Sequence, residues 1–245
     1  MGLSTREKTH VRRSCGGGFT LIELLVVISI IAVMMSISLP ALTSAQKQAE
    51  AVHCLANERT LTLAWLEFAV DNDDRLCRPE GTLTPLRSYI ETDEVFQCKA
   101  VAEEEYAYPP SRRSAYGISN TMNGLLGRDG VAPYEKLHGV EQPAGMMVLV
   151  DVIVGYRRRE AFWPLLREQE TWMWRPWSWP PANNLQTMTA RHNNGCNMSF
   201  ADGHCEYRCW RDRRTLELIA GEIADPRKAS SGNVDLDYMV EILTR

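Results

Sequence analysis

One carboxylate, Glu23, interrupts an apolar segment near the start of the chain. The 21 residues from Phe19 to Leu39 carry no other charge, and as a helix they would span about 31 Å, close to the thickness of one bilayer core. A carboxylate in hydrocarbon costs about 2.5–3.5 kcal/mol at the centre of a helix, so Glu23 needs a cationic partner. Cleavage between Gly18 and Phe19 would create an α-ammonium group, and this cation could pair with Glu23 of a neighbouring subunit.

Cysteine chemistry is a second candidate. The chain has seven cysteines, and loss of residues 1–18 would remove Cys15 and leave an even number. An even number suits disulfides if the body of the chain lies outside the cytoplasm. In a hairpin with a two-residue turn at Asp202-Gly203, Cys196 would face Cys209, because the two lie equally far from the turn. We therefore predict a Cys196–Cys209 disulfide.

A zinc site is the alternative use of the same cysteines. Its ligands would come from the predicted hairpin and the residues just before it: His192, Cys196, Cys205 and Cys209, with His204 as a fifth candidate. Their spacing is not that of a standard zinc finger, so we expect no metal here.

His192 and Asp202 could act as a general acid–base pair. Such chemistry needs a nucleophile or a bound water within hydrogen-bonding distance, and the sequence contains no nucleophile-elbow, zinc-protease or phosphate-loop motif. We therefore expect no enzymatic activity: His192 fixes the loop that enters the hairpin, and Asp202 with Gly203 shapes the turn. Calcium could bind Asp202, Asn193 and Asn194, but three oxygen donors are too few, so no cofactor is expected.

Length and charge indicate an anchored protein with one folded body. The 245 residues are 44% hydrophobic and 24% charged, enough for one ordinary domain plus an extra element. Residues 1–18 carry a formal charge of +3, and because the whole chain carries −4, the remainder carries −7. A basic start before an apolar segment stays in the cytoplasm and places the body outside it. The acidic body offers no footprint for nucleic acid.

Hydrophobic periodicity predicts one long helix over residues 19–72. It consists of a transmembrane part, 19–39, and an amphipathic part, 40–72, with Pro40 kinking the junction. Residues 73–245 are predicted to form an α+β head with a small antiparallel sheet, on which the amphipathic part packs.

The head contains two sharp strand signals. Met146–Val154 is short, apolar and rich in valine, which is typical of a buried strand. Residues 196–201 and 204–210 flank Asp202-Gly203, a dipeptide that favours a type I′ hairpin turn. Alternation along the first of these strands places Cys196, Met198 and Phe200 on one face and Asn197, Ser199 and Ala201 on the other.

A tryptophan-rich insertion, residues 163–181, holds five of the seven tryptophans. One interpretation is a loop that folds back and covers the sheet. The other is a stacking platform for a sugar or a partner surface.

Residues 18–28, GFTLIELLVVI, resemble the cleavage and methylation motif of type IV prepilins and type II secretion pseudopilins. The resemblance runs from Gly18 to about Pro40. It implies cleavage after Gly18 by a membrane prepilin peptidase, followed by N-methylation of Phe19. It also implies that Glu23 guides the subunit into a filament, and that Pro40 is the helix-kinking proline that pilins often carry.

A second resemblance lies near the carboxyl terminus. His192, nine further residues and then Asp202-Gly203 are similar to the prepilin-associated domain that is defined by this His-x9-Asp-Gly spacing.

Together these resemblances imply a pilin-like α+β fold and a structural role. The protein would be a prepilin-like or pseudopilin subunit of a type II secretion or type IV pilus-like filament, with prepilin peptidase and other pilin-like subunits as partners. It would cross the inner membrane once, with the leader 1–18 in the cytoplasm and the C-terminal domain in the periplasm. The alternative function is that of a membrane-anchored binding protein whose Trp172, Trp174 and Trp177 capture a glycan or a secreted cargo.

Overall fold

The computed structural model describes the chain from Phe19 onwards, with internal gaps. The described residues are 19–78, 83–106, 114–123, 130–152, 154, 161–162, 165–168, 171–174, 189–223 and 225–244. The predicted leader, and with it Gly18, lies outside this part of the chain.

The first element is a single long helix, α1 (Leu21–Asp71). Pro40 lies inside it, and the helix continues through this position although proline cannot donate a backbone hydrogen bond. The Thr43 hydroxyl donates to the carbonyls of Leu39 and Pro40 at 2.8 and 3.0 Å in the turn that follows the proline. The chain divides into two compact units, Met1–Ser44 and Ala45–Arg245, so α1 contributes to both.

A five-stranded sheet forms the centre of the second unit. Its strands are β1 (Tyr116–Ser119), β2 (Met147–Asp151), β3 (Ala161–Phe162), β6 (Gly195–Phe200) and β7 (Cys205–Cys209). Two further strands, β4 (Leu165–Glu168) and β5 (Thr171–Trp174), form a separate antiparallel pair. The spatial order is β3-β1-β2-β6-β7; β3 is parallel to β1, and the other neighbours are antiparallel. The predicted fold class, α+β with a long N-terminal helix and a small antiparallel sheet, is confirmed.

Helices cover both faces of this sheet. On one face, the carboxyl-terminal half of α1 buries Leu61 and Trp65 against a cluster that includes Tyr116 and Ile118. On the other face, the carboxyl-terminal helix, α3 (Val234–Thr244), packs against β6 in a second hydrophobic cluster that includes Met198 and Leu236. The predicted alternation along β6 is confirmed, since Cys196, Met198 and Phe200 join the second cluster, whereas the Asn197 side chain donates to the Ala51 carbonyl on α1 at 3.2 Å.

The remaining helices are short. The carboxyl-terminal region contains α2 (Arg213–Ile219) and α3 (Val234–Thr244). The 3₁₀ helices in the described part of the chain are Thr84–Tyr89, Asp93–Phe96, Glu103–Glu105, Leu137–Gly139, Pro143–Gly145 and Pro226–Ala229.

The turn between β6 and β7 differs from the predicted type I′ turn. The Phe200 amide donates to the His204 carbonyl at 3.0 Å and the Gly203 amide to the Phe200 carbonyl at 2.9 Å, so the loop has three residues. Gly203 has a φ of 91°, and Asp202 is not among the residues with positive φ. A three-residue loop with glycine in the left-handed region is the next commonest hairpin connection. It shifts the register by one residue from the predicted pairing.

Candidate functional site

The start of α1 places Glu23 against its own helix terminus. The Glu23 carboxylate accepts hydrogen bonds from the Thr20 amide and the Thr20 hydroxyl, both at 2.8 Å, and the Glu23 amide donates to the Thr20 hydroxyl oxygen at 3.2 Å. This reciprocal arrangement is a capping box, which satisfies two free donors of the first turn. In the single chain, therefore, the carboxylate is held by backbone and hydroxyl donors four residues from Phe19.

The apolar part of α1 is exposed on all sides. Phe19 is 71% exposed and Leu21 is 85% exposed, and the large hydrophobic residues that follow, up to Leu42, are all exposed as well. The helix is long and apolar enough to cross a membrane by length and composition. These features are consistent with single-pass membrane anchoring, because lipid tails and neighbouring helices could cover such a surface.

His192 and Asp202 lie at opposite ends of β6. The whole of β6, six residues long, lies between them and spans about 20 Å at the usual rise of a strand. His192 is buried and exchanges backbone hydrogen bonds with Gly195 at the start of β6. Asp202 lies in the turn, where its carboxylate accepts from the His204 amide at 3.1 Å and contacts the His204 ring nitrogen at 2.5 Å. The two residues therefore cannot form an acid–base pair.

The candidate calcium donors are separated in the same way. Asn193 and Asn194 come just before β6, and Asp202 comes just after it. Both asparagines have positive φ, 49° and 60°, which places them in the left-handed turn that leads into the strand. The three side chains do not form one site.

The predicted Cys196–Cys209 disulfide is wrong. Because the β6–β7 loop has three residues, Cys209 pairs with Gly195, and Cys196 pairs with Arg208. Cys196 is fully buried, whereas Cys209 is exposed, and both thiols are free. A shift of one residue in register sends the two side chains to opposite faces of the sheet.

A different cluster of donor side chains lies buried between α1 and the sheet. The sulfurs of Cys54 and Cys98 lie 2.7 Å apart, and the Cys98 sulfur lies 3.5 Å from Nε2 of His192. The same Nε2 atom lies 3.4 Å from Oδ2 of Asp151, and this oxygen also accepts from the Asn197 amide at 2.9 Å. All four side chains of this Cys54–Cys98–His192–Asp151 cluster are at most 2% exposed.

Four separate parts of the chain bring the cluster together. Cys54 lies on the inner face of α1, and Cys98 follows the 3₁₀ helix Asp93–Phe96. Asp151 is the last residue of β2, and His192 precedes β6, the neighbour of β2 in the sheet. Among the described residues, the group that could hold a metal ion is Cys54, Cys98 and His192. Of the ligands considered for the alternative zinc site at the hairpin, this group contains His192 alone.

Burial and the contacts within the cluster shift the pKa values of its members. The Cys54 thiol donates to Cys98, which lowers the pKa of Cys98 and raises that of Cys54. Burial alone would lower the pKa of His192, but the contacts with Cys98 and Asp151 outweigh it and raise the pKa. Burial raises the pKa of Asp151, and burial together with the Asp151 charge raises that of Glu58.

Sequence reasoning found one member of this cluster, His192, and assigned it to a loop. Cys54, Cys98 and Asp151 have no local spacing that signals a site, because 44 residues separate the two cysteines and 94 separate Cys98 from His192. Only the packing of α1 on the sheet unites them.

The tryptophan-rich insertion lies partly outside the described residues. Trp163, Trp177 and Trp179 are among those not described. Trp174, on β5, is fully buried in the cluster beneath α3, and Trp172 is partly buried beside it. A stacking platform that uses Trp174 is therefore wrong, because its ring is enclosed by the protein.

Comparison with known proteins gives one match. Residues 13–39 match the family described as the prokaryotic N-terminal methylation motif. No curated protein and no solved structure matches the chain. The match contains the Gly18-Phe19 bond, Glu23 and the apolar half of α1. Proteins with this motif are structural filament subunits and not enzymes. The motif thus indicates that this chain is a prepilin-like protein that a peptidase processes.

Proposed function

We propose that the chain is a prepilin-like or pseudopilin subunit of a type II secretion or type IV pilus-like filament. Prepilin peptidase would cut it after Gly18, and Phe19 would become the N-methylated first residue. The methylation motif over residues 13–39 is the observation that carries this proposal. The exposed apolar half of α1 supports it, because that surface suits both storage in a membrane and burial in a bundle of identical helices.

The proposed topology is a single pass through the inner membrane. The basic leader 1–18 would stay in the cytoplasm, and the C-terminal domain would lie outside it, in the periplasm or on a filament. Other pilin-like subunits would be its partners.

Assembly would depend on a change of partner at Glu23. In the single chain Thr20 holds this carboxylate. In the filament, the α-ammonium group of a neighbouring Phe19 would replace it, since a charged partner neutralises an acid in hydrocarbon better than neutral donors do.

The test compares two variants: one removes the Glu23 carboxylate, and the other removes the Thr20 hydroxyl that donates to it. Glu23→Ala should still insert into the membrane but should be absent from sheared filaments and from immunogold-labelled structures. Thr20→Ala removes the hydroxyl of the capping box but keeps the carboxylate, so it should assemble. N-terminal mass measurement on both should find a chain that begins at N-methylated Phe19.

Three results would count against the proposal. A native polypeptide that begins at Met1 would exclude prepilin processing. Normal incorporation of Glu23→Ala would show that the carboxylate plays no part in assembly. If Thr20→Ala were absent from filaments to the same extent as Glu23→Ala, loss of the helix cap alone would explain the assembly defect of both variants.

A further inference from the structure

We propose that the native protein carries a disulfide bond between Cys54 and Cys98. The two sulfurs lie 2.7 Å apart in the dithiol form that the structure describes, which is closer than two sulfur atoms pack without a bond between them. A disulfide needs about 2.05 Å, so the sulfurs have to approach by only about 0.7 Å more. The inference rests on the proposed topology, since disulfides form and persist outside the cytoplasm.

Oxidation would remove a negative charge from a buried site that already contains two carboxyl groups. In the dithiol form, the contacts of Cys98 with the Cys54 thiol and with His192 lower the pKa of Cys98, which favours its thiolate. Asp151 and Glu58 are fully buried, and Oδ1 of Asp151 and both carboxylate oxygens of Glu58 have no hydrogen-bond partner in the described structure. A buried charge is costly unless it is paired, and neither sulfur of a disulfide carries one.

The contacts of His192 also fit the disulfide better than the dithiol. Nε2 of His192 lies 3.5 Å from the Cys98 sulfur and 3.4 Å from Oδ2 of Asp151, and it carries at most one proton. With Cys98 as a thiolate, two acceptors compete for this proton. A disulfide sulfur is uncharged and is a weak acceptor, so the proton is available to Asp151.

The oxidant would be a protein disulfide of the compartment, acting by thiol–disulfide exchange. The thiolate of one cysteine attacks the oxidant's disulfide, which forms a mixed disulfide and releases one oxidant thiolate. The thiolate of the other cysteine then attacks the chain's sulfur in the mixed disulfide and releases the second. Two electrons pass to the oxidant, and the two protons lost by the cysteines are taken up by its thiolates through the solvent.

Burial sets the order of events. Cys54 is 0% exposed and Cys98 is 2% exposed in the folded unit, so exchange has to take place before α1 packs on the sheet. The finished bond would then be closed to reductants. It would link α1 to the segment after the 3₁₀ helix Asp93–Phe96, two parts of the chain that lie 44 residues apart.

The first measurement is a peptide map of the native full chain. Cells are lysed directly into an alkylating agent and detergent, so that free thiols are blocked before air can oxidise them, and the protein is digested with trypsin without reduction. Tryptic peptides 48–59 and 88–99 each contain one cysteine, Cys54 and Cys98 respectively, so a link between these two peptides identifies the bond. We expect this link in wild type and in Cys77→Ser, the matched control, because Cys77 is fully buried in the same core.

The second measurement is the urea midpoint by pulse proteolysis, with and without reductant. Opening a loop of 44 residues should lower the midpoint of wild type by about 1–2 M. Cys77→Ser should show the same fall. The double variant Cys54→Ala with Cys98→Ala should have one midpoint under both conditions, since it has no such bond to reduce.

Three outcomes would overturn the proposal. One is alkylation of both Cys54 and Cys98 in the wild-type protein, which decides the matter even if the double variant fails to fold. Another is a link from either cysteine to a different one. The third is an equal effect of reductant on wild type and on the double variant.

Protease added to spheroplasts separates failure of this proposal from failure of the proposed function. If the C-terminal domain is digested but Cys54 and Cys98 are free, the disulfide is excluded and the topology stands. If the domain is protected and both cysteines are free, the topology and the disulfide are both excluded. Glu23→Ala should keep the bond, because it still crosses the membrane, so a defect in filament assembly leaves the peptide map unchanged.

Discussion

Trp65 offers a quantitative test of how the carboxyl-terminal half of α1 packs. It is among the largest side chains that are fully buried, and it lies in the core cluster between α1 and the sheet. A buried tryptophan removes roughly 150–250 Å² from water, which at about 25 cal/mol per Å² is worth about 4–6 kcal/mol. Its indole nitrogen has no hydrogen-bond partner in the described structure, so no hydrogen bond adds to this value. We expect Trp65→Ala to lower the free energy of unfolding by about 3–5 kcal/mol.

Val70→Ala is the control on the same helix. Val70 is 77% exposed, so its truncation should change stability by less than about 0.5 kcal/mol. Pulse proteolysis of the full chain in a urea series reports the folded fraction of the C-terminal unit for both variants. If the two variants unfolded at the same urea concentration as each other, the packing of α1 on the sheet would be refuted.

Two other positions give independent predictions. A Cβ on Gly195 would lie 2.1 Å from a backbone carbonyl oxygen of β7, so Gly195→Ala should destabilise the hairpin by about 3 kcal/mol or more. Gly232→Ala is the control: Gly232 has a φ of +62° and nothing within 4 Å of an added Cβ, so this variant should lose only about 1–2 kcal/mol of stability. Thermal melts measure both. Asp212 caps α2 by accepting from the Arg214 amide, so Asp212→Ala should cost about 1 kcal/mol at pH 7. The side-chain hydrogen bonds from Arg214 lower the pKa of Asp212. The stabilisation is therefore complete above the unfolded-state pKa of about 3.9 and is lost as the pH falls below it. If the melting temperatures of wild type and Asp212→Ala differed as much at pH 2 as at pH 7, this account would be contradicted.

The sequence predicts those elements whose pattern is local. An apolar run of one-bilayer length, with Glu23 as its one charged residue, followed by helical periodicity predicts α1 almost to the residue, since the observed helix is Leu21–Asp71. Alternation along β6 predicts which side chains face each cluster. The turn at Asp202-Gly203 shows the limit of local pattern: the dipeptide indicates a hairpin correctly, but two- and three-residue loops both accommodate it. That single residue decides whether Cys196 faces Cys209.

The buried cluster could not be predicted because its members share no local pattern. Asp151 ends an apolar strand, and Cys54 lies on a helix face where a small apolar residue would pack equally well. The His-x9-Asp-Gly spacing pairs His192 with Asp202 in the turn, whereas in the structure His192 contacts Cys98 and Asp151. Tertiary packing thus supplies the partners that sequence spacing assigns elsewhere.

The capping box changes the energetics of the proposed assembly step. Until a partner arrives, Thr20 satisfies the Glu23 carboxylate, so a membrane-stored subunit does not carry a fully unpaired acid. Giving up the cap costs about 1 kcal/mol, which is less than the roughly 2.5–3.5 kcal/mol attached to a charged side chain deep in a bilayer. An ammonium group from a neighbouring chain therefore needs to bind the Glu23 carboxylate with a free energy only modestly more favourable than that of the Thr20 donors. Glu23 then contributes more to the choice of the correct neighbour than to the total free energy of association, most of which comes from the packing of the exposed apolar surface of α1.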